Sequence, residues 1–164
     1  MTGLKAKRLV QTGLLAAVIA VTTMVVNVPL PGVKGYVNVG DAVVLLSGIL
    51  LGPAAGAFAG AVGSSLADLL LGYAHWAPWT FIIKGIEGFL AGWLAFRPQK
   101  GSTFLGVFAG AVVMVVGYLL VGMLYYGWAA AVVSLPGDLL QGGVSALLCV
   151  IIANPLRKYL KLGD

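Results

Sequence analysis

Two ionisable residues of opposite charge, Lys84 and Glu87, lie three positions apart inside an apolar stretch that runs from Trp79 to Phe96. Residues three apart on a helix share a face, so both side chains should point the same way. A charge inside a membrane-spanning helix costs about 2.5–3.5 kcal/mol on insertion scales, so it normally faces a bundle interior or a cavity. The pair therefore indicates a binding pocket or a buried ion pair. Asp68 is a candidate structural partner for Lys84, because the two are equidistant from Trp76.

Motifs for catalysis are absent from the sequence. It contains no G-x-x-x-x-G-K-[ST] phosphate loop, no H-E-x-x-H and no G-x-S-x-G. The single cysteine, Cys149, can form neither an internal disulfide nor a redox pair, and it is expected to be a core residue. We therefore expect neither an enzyme nor a metal or cofactor site. Uphill transport would need an ion gradient or a partner chain as its energy source.

The composition identifies the environment in which these residues act. Hydrophobic residues make up 60% of the 164 residues and charged residues only 9%, against about 45–50% and about 25% in soluble domains. This excludes a soluble globular domain, a disordered chain and a nucleic-acid-binding domain. It predicts an all-α, multi-pass membrane protein in which residues 1–164 form a single compact domain in the lipid bilayer.

Six apolar segments predict a compact bundle of six transmembrane helices. Segment 39–71 would be about 50 Å long as one helix, which is too long for a hydrocarbon core of about 30 Å. It is therefore divided at Gly52-Pro53. Glycines at four-residue spacing, such as Gly52, Gly56 and Gly60, would let the helices pack closely. The predicted helices cover residues 9–27, 39–51, 54–71, 79–96, 103–126 and 136–156, with Pro136 in the first turn of the last helix.

The distribution of the basic residues predicts how this bundle is oriented in the membrane. With six spans, eight of the ten Lys and Arg residues fall on one side. The positive-inside rule then makes both termini cytoplasmic. Most of the polar and aromatic residues gather on the opposite, outer side, as a cavity open to that side would require. This outer group comprises Lys34, Asn38, Asp41, Asp68, Tyr73, His75, Trp76, Trp79, Tyr125, Tyr126, Trp128 and Asp138.

Several members of the outer group have simpler explanations. The tryptophans and Tyr125 could form an interfacial aromatic belt instead of a surface for ring stacking. Asp41 could have no role other than to complement the dipole of its helix. His75, the one histidine, could be a solvated loop residue, since no second histidine or cysteine supports a metal site.

Five motifs resemble a known family. They are Tyr36-Val-Asn-Val-Gly-Asp41, Leu-Leu-Gly-Pro53, Gly63-Ser-Ser-Leu-Ala-Asp68-Leu-Leu-Leu-Gly-Tyr73, Trp76-Ala-Pro and Lys84-Gly-Ile-Glu87-Gly. The chain is similar, from about residue 8 to 158, to the S component of energy-coupling factor (ECF) vitamin transporters. The similarity is greatest to the subfamily for riboflavin, hydroxymethylpyrimidine and pyridoxine-like vitamins.

The resemblance implies that different subunits capture the vitamin and supply the energy for its transport. The S component captures the vitamin outside a bacterial or archaeal cytoplasmic membrane, and an ECF module of one membrane scaffold subunit and two ATPases supplies the energy. Toppling of the S component in the bilayer then delivers the vitamin. An autonomous secondary transporter and a membrane scaffold protein are the alternatives.

The resemblance also implies positions for the sites. Segment 28–38 would gate the ligand, and the outer ends of helices 4, 5 and 6 would line the pocket. The family docks its scaffold subunit through an A-x-x-x-A motif on helix 1, where this chain offers Gly13 and Ala17 or, one position away, Ala16 and Ala20. The expected substrate-binding residues are Asn38, Asp41, Trp79, Lys84, Glu87, Tyr126, Asp138 and Gln141.

Overall fold

The computed structural model describes residues 2–29, 35–98 and 101–159. These residues form five helices and one small hairpin, so the chain is mainly helical. Lys34, Lys100 and Lys161, which contribute to the predicted charge distribution, lie outside the described residues. The elements are α1 (Thr2–Val25), β1 (Asn27–Pro29), β2 (Tyr36–Asn38), α2 (Gly40–Leu51), α3 (Pro53–Leu70), α4 (Ala77–Ala95) and α5 (Ser102–Tyr159).

The predicted break at Gly52-Pro53 separates α2 from α3. Gly52 has φ 94° and ψ 173°, a left-handed conformation that glycine adopts at little cost. Pro53 begins α3, where the missing N–H of proline costs nothing. The chain therefore folds back at this point, and two short helices replace the overlong one.

Helix α5 is interrupted at Gly127, whose φ of 81° and ψ of 169° are not helical. We call residues 102–126 the first arm of α5 and residues 128–159 its second arm. The prediction that Pro136 starts the last helix was wrong, because the glycine and not the proline breaks the helix. Pro136 lies within the second arm, where it removes one backbone donor without ending the helix.

Segment 28–38, predicted as a loop, includes a hairpin instead. Strands β1 and β2 pair antiparallel, with Asn27 opposite Asn38 and Pro29 opposite Tyr36. Residues 30–34, which connect the strands, lie outside the described residues. The hairpin brings Tyr36 and Asn38 over the ends of the neighbouring helices.

Small residues bring α2, α3 and α4 into backbone contact. A Cβ atom on Gly56 would lie 2.5 Å from the Gly48 Cα atom and 2.5 Å from the Gly88 carbonyl oxygen. Such distances leave no room for a side chain, so glycine is required at this crossing. Beside it, a buried apolar cluster joins α2, α4 and both arms of α5. This cluster includes Leu45, Ile49, Ala91, Val107 and Cys149.

The outer surface of the bundle is apolar. Large hydrophobic side chains stay exposed along its length, for example Leu9, Phe104, Leu124 and Leu140. Exposed apolar surface on this scale is typical of contact with lipid. Within the described part of the chain, two helical stretches are long and apolar enough to cross a membrane, Lys5–Val25 and Ser102–Arg157.

Candidate functional site

A polar pocket lies beneath the hairpin, between α1, α3, α4 and the two arms of α5. Its cavity has a volume of about 60 Å³, whereas ligand pockets usually measure about 300–1,000 Å³. The cavity is therefore smaller than a typical ligand pocket, and a ligand of vitamin size needs the surrounding side chains or helix ends to move apart. The lining residues are Thr23, Gly35, Tyr36, Asn38, Ser64, Asp68, Trp76, Thr80, Lys84, Tyr118, Gly122, Tyr126, Ala130, Ala131, Ser134, Asp138 and Gln141.

A buried charge network forms the floor of this pocket. The Lys84 Nζ atom lies 2.5 Å from Asp41 Oδ1 and 3.0 Å from Glu87 Oε2. The amide of Gln141 donates a hydrogen bond of 2.8 Å to the second oxygen of Asp41. All four side chains are buried. Because they come from α2, α4 and the second arm of α5, the network ties three parts of the bundle together.

The ion pair between Asp68 and Lys84 that the sequence suggested is not formed. Asp41, in the first turn of α2, reaches Lys84 instead. Asp68 accepts a hydrogen bond of 2.6 Å from the hydroxyl of Tyr36. Asp41 therefore does more than complement a helix dipole, since it holds the buried ammonium group.

Four polar contacts hold the hairpin over the pocket, the longest being 3.5 Å from the Asn38 side-chain amide to Gln141 Oε1. Tyr36 donates to Asp68, and the backbone N–H of Asn38 donates a hydrogen bond of 2.8 Å to Gln141 Oε1. The Thr23 hydroxyl lies 3.4 Å from Asn38 Oδ1. Burial, and next the carboxylate of Asp68, raise the pKa of Tyr36 far above its usual range. The phenol therefore stays protonated and remains a donor at every physiological pH.

Aromatic side chains surround the mouth of the pocket. Trp76 contacts the rings of Tyr118, Tyr125 and Tyr126 at centroid distances of 5.7, 5.4 and 6.1 Å. The ring of His75 lies at this rim too, with Nε2 2.9 Å from the Tyr126 hydroxyl. Rings held at these distances can receive an aromatic ligand by stacking or edge contact.

Five of the eight expected binding residues line the pocket, namely Asn38, Lys84, Tyr126, Asp138 and Gln141. Asp41 and Glu87 do not line it and instead hold Lys84 from behind. Trp79 also lies outside the pocket lining, where its indole N–H donates a hydrogen bond of 2.7 Å to Tyr125. It supports the aromatic rim through this bond to Tyr125.

The sequence reasoning missed Thr80 and Tyr118 and placed Trp76 only in the general outer group. Helical spacing could have identified them. Trp76, Thr80 and Lys84 are four positions apart on α4, and so share one face. Tyr118 and Tyr126 are eight apart on the first arm of α5, which brings them to the same side. The Thr80 hydroxyl lies 3.0 Å from that of Tyr118, which joins the two faces.

The two candidate docking pairs on α1 lie on different faces. Ala16 and Ala20 are buried, with exposed fractions of 8% and 5%. Ala16 packs in an apolar cluster with Ile19, Val44 and Ala59, so this pair is unavailable to a partner. Gly13 and Ala17 are exposed, and a Cβ atom on Gly13 would meet nothing within 4 Å.

Comparison with known proteins gives consistent matches. A family model described as "ECF-type riboflavin transporter, S component" matches residues 3–158. An uncharacterized protein of Pyrococcus woesei is 42% identical over 148 residues, covering 87% of this chain and 94% of that protein. The thiamine precursor transporter HmpT of Lactococcus lactis subsp. cremoris is 28% identical over 131 residues, covering 79% and 75% of the two chains.

A solved structure supports the fold. The S component of a bacterial ECF transporter superposes on this chain with a TM-score of 0.77. The sequences are 20% identical, and the match covers 96% of this chain and 99% of the other. At this identity the likeness supports the arrangement of the helices.

Proposed function

This chain belongs to the family of S components of ECF-type riboflavin transporters, and we propose that it captures a small heteroaromatic vitamin or vitamin precursor for uptake. The family is membrane-embedded and consists of transporter subunits, not enzymes. The observation that carries the proposal is the polar and aromatic pocket beneath a hairpin at one end of an otherwise apolar bundle. Its relative HmpT, a thiamine precursor transporter, supports a ligand of this size.

We place the chain as a single domain in a bacterial or archaeal cytoplasmic membrane, crossing it six times with both termini inside. The charge distribution over the bundle supports this orientation. Lys5, Lys7 and Arg8 begin α1, and Arg97 follows α4, all at the end opposite the pocket. At that same end Arg157 donates a hydrogen bond to Thr103. Basic residues at one end favour the cytoplasm, so the pocket would open outside.

In this mechanism the hairpin opens, the ligand enters between the aromatic rim and the charge network, and the hairpin closes over it. Gln141 and Asn38 would then bind polar groups of the ligand, while Trp76, Tyr118 and Tyr126 contact its ring. The exposed Gly13 and Ala17 face of α1 would dock on the scaffold subunit of a module with two ATPases. Toppling of the docked chain would bring the pocket to the cytoplasm.

Three measurements test this function: identification of the co-purifying molecule, ligand binding and uptake into vesicles. The chain is purified in mild detergent without any ATPase, and mass spectrometry identifies the small molecule that co-purifies. Titration calorimetry then measures binding of riboflavin, hydroxymethylpyrimidine, pyridoxine and thiamine. We expect submicromolar binding of at least one compound without ATP, and uptake into vesicles only when the energising module is present. Uptake by the chain alone would indicate an autonomous transporter, and the absence of any ligand would favour a scaffold protein.

A further inference from the structure

The described residues that line the pocket include more acidic than basic side chains. Among the described residues that line it, Lys84 is the cation, whereas Asp68 and Asp138 are acids. Lys84 cannot balance these two acids, because Asp41 and Glu87 already hold its ammonium group within 3.0 Å. Those two carboxylates alone exceed its single charge. The two acids on the pocket wall therefore form no close ion pair with the described residues, and Lys84 acts on them only from a longer distance.

Asp68 offers an unused acceptor. Its side chain is 3% exposed, and Oδ1 accepts the hydrogen bond from Tyr36. The other oxygen, Oδ2, is buried and makes no hydrogen bond of good geometry with the described residues, although the Thr80 side chain lies near the carboxylate. A buried carboxylate oxygen without a partner is costly, so it calls for an explanation such as a water, an ion or a ligand group that pairs with it. Asp68 lines the pocket, so a ligand is the partner it can acquire.

Asp138 is the second acid of the pocket wall. It is 8% exposed, and its contact within the protein is a long one, 3.4 Å from the Ser134 hydroxyl. A neutral hydroxyl at that distance stabilises a carboxylate only weakly. Asp138 comes from the second arm of α5 and Asp68 from the end of α3, so the two carboxylates enter the pocket from different elements.

The aromatic rings of the pocket also suit a cation. Trp76, Tyr118 and Tyr126 line it, and the negative faces of such rings attract positive charge. The Lys84 ammonium already lies 5.3 Å from the centre of the Tyr118 ring. Carboxylates combined with aromatic faces are the two groups that bind protonated and quaternary nitrogen compounds.

We propose that the ligand is a cation, a small aromatic nitrogen compound with a protonated or quaternary nitrogen that pairs with Asp68 and Asp138. This rests on the proposed function, since it assumes that the pocket binds a ligand. Neutral vitamins such as riboflavin and anionic ones such as pantothenate would leave the acids unpaired. The charge of the ligand, and not only its ring, would then determine which compound is selected.

Matched probes separate charge from shape. Thiamine carries a permanent cation in its thiazolium ring, and 3-deazathiamine, in which carbon replaces the charged ring nitrogen, is a neutral compound of nearly the same shape. 1-Methylnicotinamide and nicotinamide form a second pair. Calorimetry on the full chain would compare both pairs, riboflavin and pantothenate, together with the charge at pH 7 of the co-purifying molecule. We expect the cationic compounds to bind at least tenfold more tightly than their neutral partners, and the co-purifying molecule to be a cation.

Variants with neutral side chains provide a second test of the proposal. Asp68→Asn and Asp138→Asn keep the side-chain shape but remove the charge, and each should reduce the preference for the cation at least fivefold. Far-UV circular dichroism identifies any variant that does not fold. If neither variant folds, the comparison of the probe pairs on the unaltered chain tests the charge of the ligand instead. Tight binding of only neutral or anionic compounds would overturn the charge assignment while leaving vitamin capture intact. If no compound binds and none co-purifies, vitamin capture itself is wrong.

Discussion

Replacement of Lys84 by methionine should destabilise the folded bundle. The substitution keeps the length of the side chain but removes the ammonium group that Asp41 and Glu87 hold at 2.5 and 3.0 Å. Two like charges would then remain buried side by side. Removing one partner of a buried ion pair costs about 3–5 kcal/mol, because the other charge stays buried and unpaired. The loss should therefore appear in folding before ligand binding is considered.

Thermal unfolding in detergent, followed by far-UV circular dichroism, measures this loss. For a chain of this size each kcal/mol lowers Tm by about 2–4 °C, so Lys84→Met should lower it by about 6–20 °C. Lys5→Met is the matched control, since Lys5 is exposed at the start of α1 and its loss should change Tm by no more than about 1 °C. A triple variant with Asp41→Asn and Glu87→Gln should recover part of the loss, because no unpaired charge remains. A Tm for Lys84→Met within about 2 °C of the original would refute the importance of the network.

Three further substitutions test the hairpin, the helix packing and the docking face. Tyr36→Phe removes the hydrogen bond to Asp68, worth about 1.5–3 kcal/mol for a charged acceptor, so stopped-flow measurements should show release of the ligand about tenfold faster or more. Tyr73→Phe, at the ring that contacts Tyr36 at 4.9 Å, should leave the release rate unchanged. Gly56→Leu should reduce the folded yield on size-exclusion chromatography, because the added atoms meet backbone on two sides. Ala17→Trp should prevent co-purification with the scaffold subunit while ligand affinity stays the same. The control Leu147→Trp, on the exposed surface of α5, should assemble normally. Recovery of the Ala17→Trp complex in full yield would contradict the docking assignment.

Local patterns in the sequence were sufficient for much of the architecture. The break at Gly52-Pro53 follows from backbone chemistry and from the length of a membrane-spanning helix, and the structure confirms it. The burial of Lys84 and Glu87 follows from the cost of charge in an apolar helix, and both are at most 2% exposed. These features depend on a few neighbouring residues, so they can be predicted from short stretches of the sequence.

Pairing between helices could not be predicted in the same way. Asp68 and Lys84 are equally distant in sequence from the loop between α3 and α4, which suggested that they pair. This spacing within two consecutive helices does not indicate which side chains a third helix brings beside them. Asp41 reaches Lys84 from α2, and Tyr36 from the hairpin occupies Asp68. The start of the last helix was misjudged for a related reason. Proline is the stronger helix breaker in general, but the positive φ of Gly127 determines where the chain turns.

Gln141 joins the charge network to the hairpin that covers the pocket. Its amide nitrogen donates to Asp41 of the charge network, and its amide oxygen accepts the backbone N–H of Asn38 in the hairpin. The network side is a charge-assisted bond among buried groups. The hairpin side is made by two neutral donors of Asn38, its backbone N–H at 2.8 Å and its side-chain amide at 3.5 Å, and neutral bonds of this kind are the weaker ones. Opening of the hairpin would therefore break the bonds to Asn38 first and leave the floor intact. Replacement of Gln141 would therefore weaken both the charge network and the attachment of the hairpin, because one side chain bonds to both.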